Sequence, residues 1–147
     1  MIIDKSIDIE NEIRFALDMY LHVYCRPLPA DYALPHIEIT KVGGTDSQTI
    51  DRFEVVLDSR AETEAEAQDY LNTAIGLLKQ IAKEQNTALR YVAVNSSGSW
   101  GIDPVRPDLC MCSARLEVIA HQSEAEVSAQ YSAILTDNNA IIIAEEA

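Results

Sequence analysis

Basic side chains are scarce in this chain. Its 147 residues hold 11 Lys and Arg against 24 Asp and Glu, a formal net charge of −13. Affinity for nucleic acid comes mainly from basic groups that neutralise phosphate, so that class of function is disfavoured. Cysteine is rare too. The three residues, Cys25, Cys110 and Cys112, are an odd number, and read as reduced thiols of a cytosolic protein rather than a disulfide framework. No apolar run approaches the ~20 residues of a bilayer-spanning helix. The opening Met1-Ile-Ile-Asp-Lys-Ser-Ile-Asp is broken by acids and is not expected to be a secretion signal. A G-x-S-x-G elbow is missing, and so is a phosphate loop. Gly43-Gly44 precedes a strand pattern, not a helix, so it is no phosphate cradle.

The remaining groups give little sign of catalysis. Cys110 and Cys112 sit two apart on a strand pattern and point the same way. Structural zinc usually needs four ligands with two to four residues between paired cysteines, and here Cys25, His36 and His121 would have to converge from elsewhere. Cysteines on an apolar strand face are usually core. His22, His36 and His121 carry no partner motif. No enzyme activity, metal or cofactor is expected.

What is present is a small α+β pattern. Residues 6–24 recur at helical spacing through Ile9, Ile13, Ala16, Leu17, Tyr20 and Tyr24. A second apolar row, Phe15, Met19 and Val23, lies beside them. That arc is wider than the roughly 100° stripe a helix buries on one sheet, so another element or another subunit should cover the excess. Cys25–Pro35 is a proline-rich connector. Ile37 and Ile39, then Phe53, Val55 and Leu57, mark two strands. Gly43-Gly44 reads as their turn or bulge, and Thr45–Asp51 as a polar projecting loop. Ser59 and Glu62 have capping-box spacing. The stripe Ala67, Leu71, Ala74, Ile75, Leu78, Ile81 and Ala82 predicts a helix to about Glu84–Asn86 lying on the sheet. Leu89–Asn95 and Leu109–His121 are the third and fourth strands, joined by a loop that carries the only tryptophan, Trp100. It either folds back on its own domain or anchors a partner. Residues 122–147 form an acidic extension. Val127, Tyr131, Ile134 and Leu135 fit a helix capped by Ser123 with Glu126; Val127, Ala129, Tyr131 and Ala133 also alternate like a strand, but helix is favoured because Ala, Ser, Gln and Glu are poor strand formers. Asp137-Asn138-Asn139 reads as a turn, and Ala140–Ala144 could be a short strand or dock on a neighbouring subunit. The expected fold is α+β, an antiparallel sheet of about four strands with helices on one face. It forms one domain over residues 1–121, followed by the extension.

In this order the segments resemble the tail terminator, or tail-completion, proteins of long-tailed bacteriophages. The resemblance covers roughly residues 8–121. It rests on the leading helix, the proline-rich connector, Val42-Gly43-Gly44, Asp51-Arg52 with its alternating strand, and Ser59-Arg60-Ala61-Glu62-Thr63-Glu64-Ala65 before the second helix. The extension is not part of that pattern. The resemblance implies a structural virion protein of a phage or prophage, made in the host cytoplasm, with no catalysis and no membrane. Such proteins form a ring, commonly a hexamer, on the major tail tube protein. The ring ends tail elongation and joins a head-completion or connector protein, and DNA passes through it without specific binding. Residues expected at subunit or partner contacts are Phe15, Met19, Val23, Gly43, Gly44, Thr45, Asp46 and Trp100. Another neck component, a cellular binding module or a small enzyme are the alternatives.

Overall fold

The computed structural model describes residues 1–129, 131–135 and 141–145. A short strand, β1 (Ile2–Lys5), leads into helix α1 (Ile9–Asp18). Asp8 caps that helix, its carboxylate accepting from Asn11 N at 3.3 Å and Asn11 Nδ2 at 2.8 Å. The cap satisfies a donor that a helix start leaves free. The helix is shorter than the apolar recurrence over residues 6–24 predicts. The chain leaves it after Met19, and Val23–Cys25 form a strand, β2. This strand lies parallel to β3 (His36–Asp46).

Strand β3 pairs antiparallel with β4 (Ile50–Ala61). Helix α2 (Glu64–Glu84) follows, then β5 (Leu89–Ile102) and β6 (Cys110–His121), which pair antiparallel. The central sheet runs in the order β2-β3-β4-β6-β5. It is therefore five-stranded and mixed, not the four-stranded antiparallel sheet expected. The extra strand is β2, whose three residues are too few to show a period.

The chain continues into β7 (Ser123–Glu126), paired antiparallel with β1, and β8 (Tyr131–Leu135), paired with β9 (Ile141–Glu145). The helix expected from Ser123 to Leu135 is thus two strands. Strand β7 gains the distant partner β1 and β8 the nearby β9, and this cross-strand pairing overrides a weak local preference. The expected turn Asp137-Asn138-Asn139 lies outside the described residues. Among the described residues no helix is long and apolar enough to cross a membrane.

Alternation explains how the layers close. In β4, Phe53, Val55, Leu57 and Ala61 are buried; in β6, Cys112, Ala114, Leu116, Val118 and Ala120 join them. Both sets face the helices, against Ile9, Ile13 and Leu17 of α1 and Ala67, Leu71, Ala74 and Leu78 of α2. Each fully buried Leu or Ile side chain contributes about 1.5–3 kcal/mol. The opposite face of the sheet is charged and cross-linked. Arg52 meets Glu117 at 2.8 Å, and Arg115 meets Glu54 at 2.9 Å.

Two local expectations are corrected by this register. Helix α2 is capped by Thr63, whose Oγ1 accepts from Glu66 N at 3.3 Å, not by Ser59. Ser59 is still in β4, fully buried, and its hydroxyl donates to Ala67 O at 2.8 Å. Gly43-Gly44 is not the hairpin turn. Strand β3 continues through both glycines to Asp46, with a bulge between Lys41 and Gly43, and the chain reverses over residues 47–49. The two glycines do different work. Gly44 has φ +152°, and a Cβ there would press on the Arg52 carbonyl and lie 3.2 Å from Phe53 Cα. At Gly43 the nearest atom to such a Cβ is Glu54 Oε2, 3.8 Å away.

Gly44→Ala should therefore cost about 1–3 kcal/mol of stability. Gly43→Ala should stay within about 0.5 kcal/mol of the parent. Urea denaturation of the two variants measures the difference, and equal costs would contradict the bulge geometry.

Candidate functional site

The best-formed recess is a cavity of about 510 Å³ lined by Arg26, Pro27, Leu28, Tyr32, Glu38, Arg60, Asp103, Val105 and Arg106. That volume is within the ~300–1,000 Å³ of small-ligand and side-chain pockets. Its residues come from four separate stretches. The proline-rich connector supplies one wall, β3 and β4 the floor, and the loop after β5 the other wall.

A buried ion network forms the floor. His36 and Arg60 are register partners across β3 and β4, so Glu38, two residues from His36, lies on the same face as Arg60. Arg60 Nε donates to Asp103 Oδ2 at 2.6 Å and Nη1 reaches Glu38 Oε2 at 3.5 Å. The side chains of Arg60, Glu38 and Asp103 are only 13%, 6% and 4% exposed. Arg26, at the rim, donates from Nε to Glu38 Oε1 at 3.1 Å. Asp103 Oδ1 accepts from the backbone of Val105 at 2.9 Å and of Arg106 at 3.4 Å, which folds the loop over the network. Burial works to raise the Asp103 pKa, but those backbone bonds and Arg60 outweigh it and hold the carboxyl below its usual range. Arg106 donates to the Tyr32 hydroxyl and pairs with Asp108 at 3.0 Å, closing the rim.

Donors and acceptors are unequal in this cavity. All four carboxylate oxygens of Glu38 and Asp103 are engaged. Arg60 Nη2 and both Nη atoms of Arg26 have no protein partner among the described residues. The recess can thus bind an acceptor, such as a carboxylate, beside an apolar group. It is poorly suited to a cation.

His36 lies beneath it, fully buried, with the Tyr24 and Tyr32 rings edge-on at 5.4 and 4.9 Å. Its Nδ1 bonds to Ala33 O at 2.9 Å, while Nε2 has no partner. Burial, helped by the nearby Arg60 charge, lowers its pKa. Among the described residues no group of three or more His, Cys, Asp or Glu gathers to hold a metal. Cys112 is buried and its thiol donates to Gln68 Oε1 at 3.0 Å. Burial pushes the Cys112 and Cys25 thiols up, away from the reactive thiolate.

The residues expected at contacts are dispersed. Phe15 and Met19 stand on the outer side of α1, 71% and 83% exposed, with Tyr20 at 60% beside them. Val23 is buried in β2, because the helix ends before it. Gly43, Gly44, Thr45 and Asp46 lie in β3, and Trp100 in β5 has its backbone opposite Cys112 rather than on a loop. Asp46 pairs with Asp51, which stands opposite Ala120, so the hairpin tip and Trp100 lie eight residues apart along β6 (120 against 112). At ~3.4 Å per residue that is about 27 Å, so these two expected contacts form separate surfaces. The cavity residues Glu38, Arg60, Asp103 and Arg106 carried no sequence motif. Only Asp103-Pro104, a turn-forming pair, hinted at the loop. The chain matches no protein-family model and no curated protein.

Two outcomes follow. Arg60→Leu leaves buried Asp103 without its cation and Glu38 with only Arg26 at the rim, and should cost about 3–5 kcal/mol. Denaturant titration reads this, and adding Glu38→Leu and Asp103→Asn should recover part of the loss. The second concerns pH. Folded His36 resists protonation more than the unfolded residue, whose pKa is about 6.5. Stability is therefore fully present above that value and is lost as pH falls, at no more than about 1.4 kcal/mol per pH unit for one proton. Between pH 7 and 5, His36→Phe should show a shallower decline than the parent; parallel curves would mean that His36 protonates freely in the fold.

Proposed function

We propose that this protein is a structural subunit of a long-tailed phage or prophage particle. It closes into a ring on the end of the tail tube, stops tube growth and presents the surface that receives the head-completion or connector protein. No catalytic step is assigned to it. The observation that carries this reading is the outer face of α1. One side of this ten-residue helix supplies Ile9, Ile13 and Leu17 to the core. The other leaves Phe15 in solvent, and Met19 and Tyr20 just past the helix end are exposed as well. Large apolar groups set together on a helix otherwise committed to one core mark an interaction surface.

Two further features support it. The chain order of helix, proline-rich connector, long hairpin, second helix and second hairpin parallels the segment order that carries the resemblance. The net charge of −13 suits a wall past which DNA must slide without adhering. A binding module is the second reading, favoured by the arginine-lined cavity.

Phe15→Glu with Met19→Lys should leave the fold intact and abolish ring formation. Negative-stain microscopy of the full chain, alone and added to purified tail tubes, is the check. Six-fold rings from the parent and none from the variant are expected. A parent that stays monomeric in both settings would overturn the reading.

A further inference from the structure

Resting on the ring reading, we infer that the arginine-lined cavity receives the C-terminal end of α1 from the adjacent copy, with Phe15 and Met19 entering the recess and Asp18 meeting its free guanidinium donors. A ring of identical subunits needs two different surfaces that fit each other. These two are complementary in three respects.

The first is charge. Helix α1 has acidic residues in its first turn, which suits its dipole, but no basic residue in its last turn. It ends on Asp18, against the dipole, and Asp18 has no ion-pair partner among the described residues. A helix C-terminus that carries a carboxylate favours a cation beside it. The cavity holds Arg26, Arg60 and Arg106, three of the chain's eleven basic residues. Its own carboxylates are already engaged, and Arg26 and Arg60 keep unpaired N–H groups. On so acidic a chain this is a rare place where an acidic element meets attraction.

The second is apolar surface. Pro27, Leu28, Tyr32 and Val105 line the walls, and Val105 is 82% exposed. Phe15 and Met19 are the exposed counterpart, and the volume accommodates both side chains. The third is placement. Pro27 lines both the cavity and a separate recess that contains Asp18, so the helix end and the cavity are neighbouring but distinct surfaces of one subunit. A head-to-tail contact requires two such distinct surfaces.

The test uses the full-length chain in sedimentation velocity over a concentration series. Val105→Glu places a carboxylate on the apolar wall at a solvent-exposed position. Asp18→Lys reverses the helix end. Each alone should weaken self-association about tenfold or more, the first by setting a carboxylate against Phe15 and Met19, the second by setting an ammonium against the guanidinium donors of Arg26 and Arg60. Circular dichroism and urea midpoints matching the parent show that the fold is untouched. If Phe15→Glu with Met19→Lys breaks the ring while Val105→Glu leaves it unchanged, α1 docks elsewhere and only this inference falls. If the parent never associates, alone or on tail tubes, both readings fall. An Asp18→Lys variant that associates as the parent does would also overturn the pairing of the helix end with the guanidinium donors.

Discussion

The Arg60 guanidinium, held between Glu38 and Asp103, is the interaction on which the cavity end of the molecule depends. It links a strand, its hairpin partner and a loop more than forty residues further on. Desolvating three charges is costly, and a network of this kind is tolerated only when each member is matched. That demand fixes register. Slipping β3 against β4 by one residue would turn Glu38 and His36 into the apolar layer under the helices and bring Ile37 and Ile39 out beside Arg60. The network therefore selects one pairing of the long hairpin. The same arrangement leaves guanidinium donors free at the cavity mouth while it occupies every carboxylate oxygen of Glu38 and Asp103.

The two faces of the sheet answer different needs. One is covered by α1 and α2 and is almost wholly apolar. The other carries charges that neutralise one another across strands, Arg52 with Glu117 and Arg115 with Glu54. Exposed pairs of this sort add little stability. Their consequence is that the part of the open face around these pairs is charged. Among the large apolar groups left in solvent are Phe15, Met19 and Tyr20 in and just after α1, Tyr91 and Ile102 in β5, and Val105 in the loop beside the cavity.

How much of this is legible in the sequence depends on how local each signal is. Helix α2 shows clearly because Ala67, Leu71, Ala74, Leu78 and Ala82 repeat on one face within a single segment. Strand β6 shows because its alternation runs unbroken. The glycine pair misleads: glycine marks a backbone that departs from the ordinary, but does not say whether the chain reverses there. The close approach of Gly44 to the Arg52 carbonyl, a contact across the hairpin, decides it. Ser59 and Glu62 have capping spacing, yet β4 pairs with β6 as far as Ala61, and the cap passes to Thr63. Strands β1 and β7 join residues about 120 apart in sequence, beyond any window of local pattern. The cavity has the same character. Arg26, Glu38, Arg60 and Asp103 are unremarkable singly, and only the register sets them together.

Net charge bears on when such a subunit should assemble. At −13 per chain, free copies repel one another. That repulsion reaches about 8–10 Å at physiological ionic strength, further than the apolar contact between a helix end and a recess. A dilute pool of subunits therefore has an electrostatic reason to remain apart, although each carries both halves of a short-range contact. Holding subunits side by side on a template removes the cost of encounter and raises the effective concentration steeply. The contact then forms where the template is, and in solution only at high concentration. For a protein whose proposed task is to close the end of a tube and not to polymerise by itself, weak association in isolation is part of the mechanism. In the proposed ring, the acidic surface would restrain assembly and the arginine-lined recess would supply the local exception through which it proceeds.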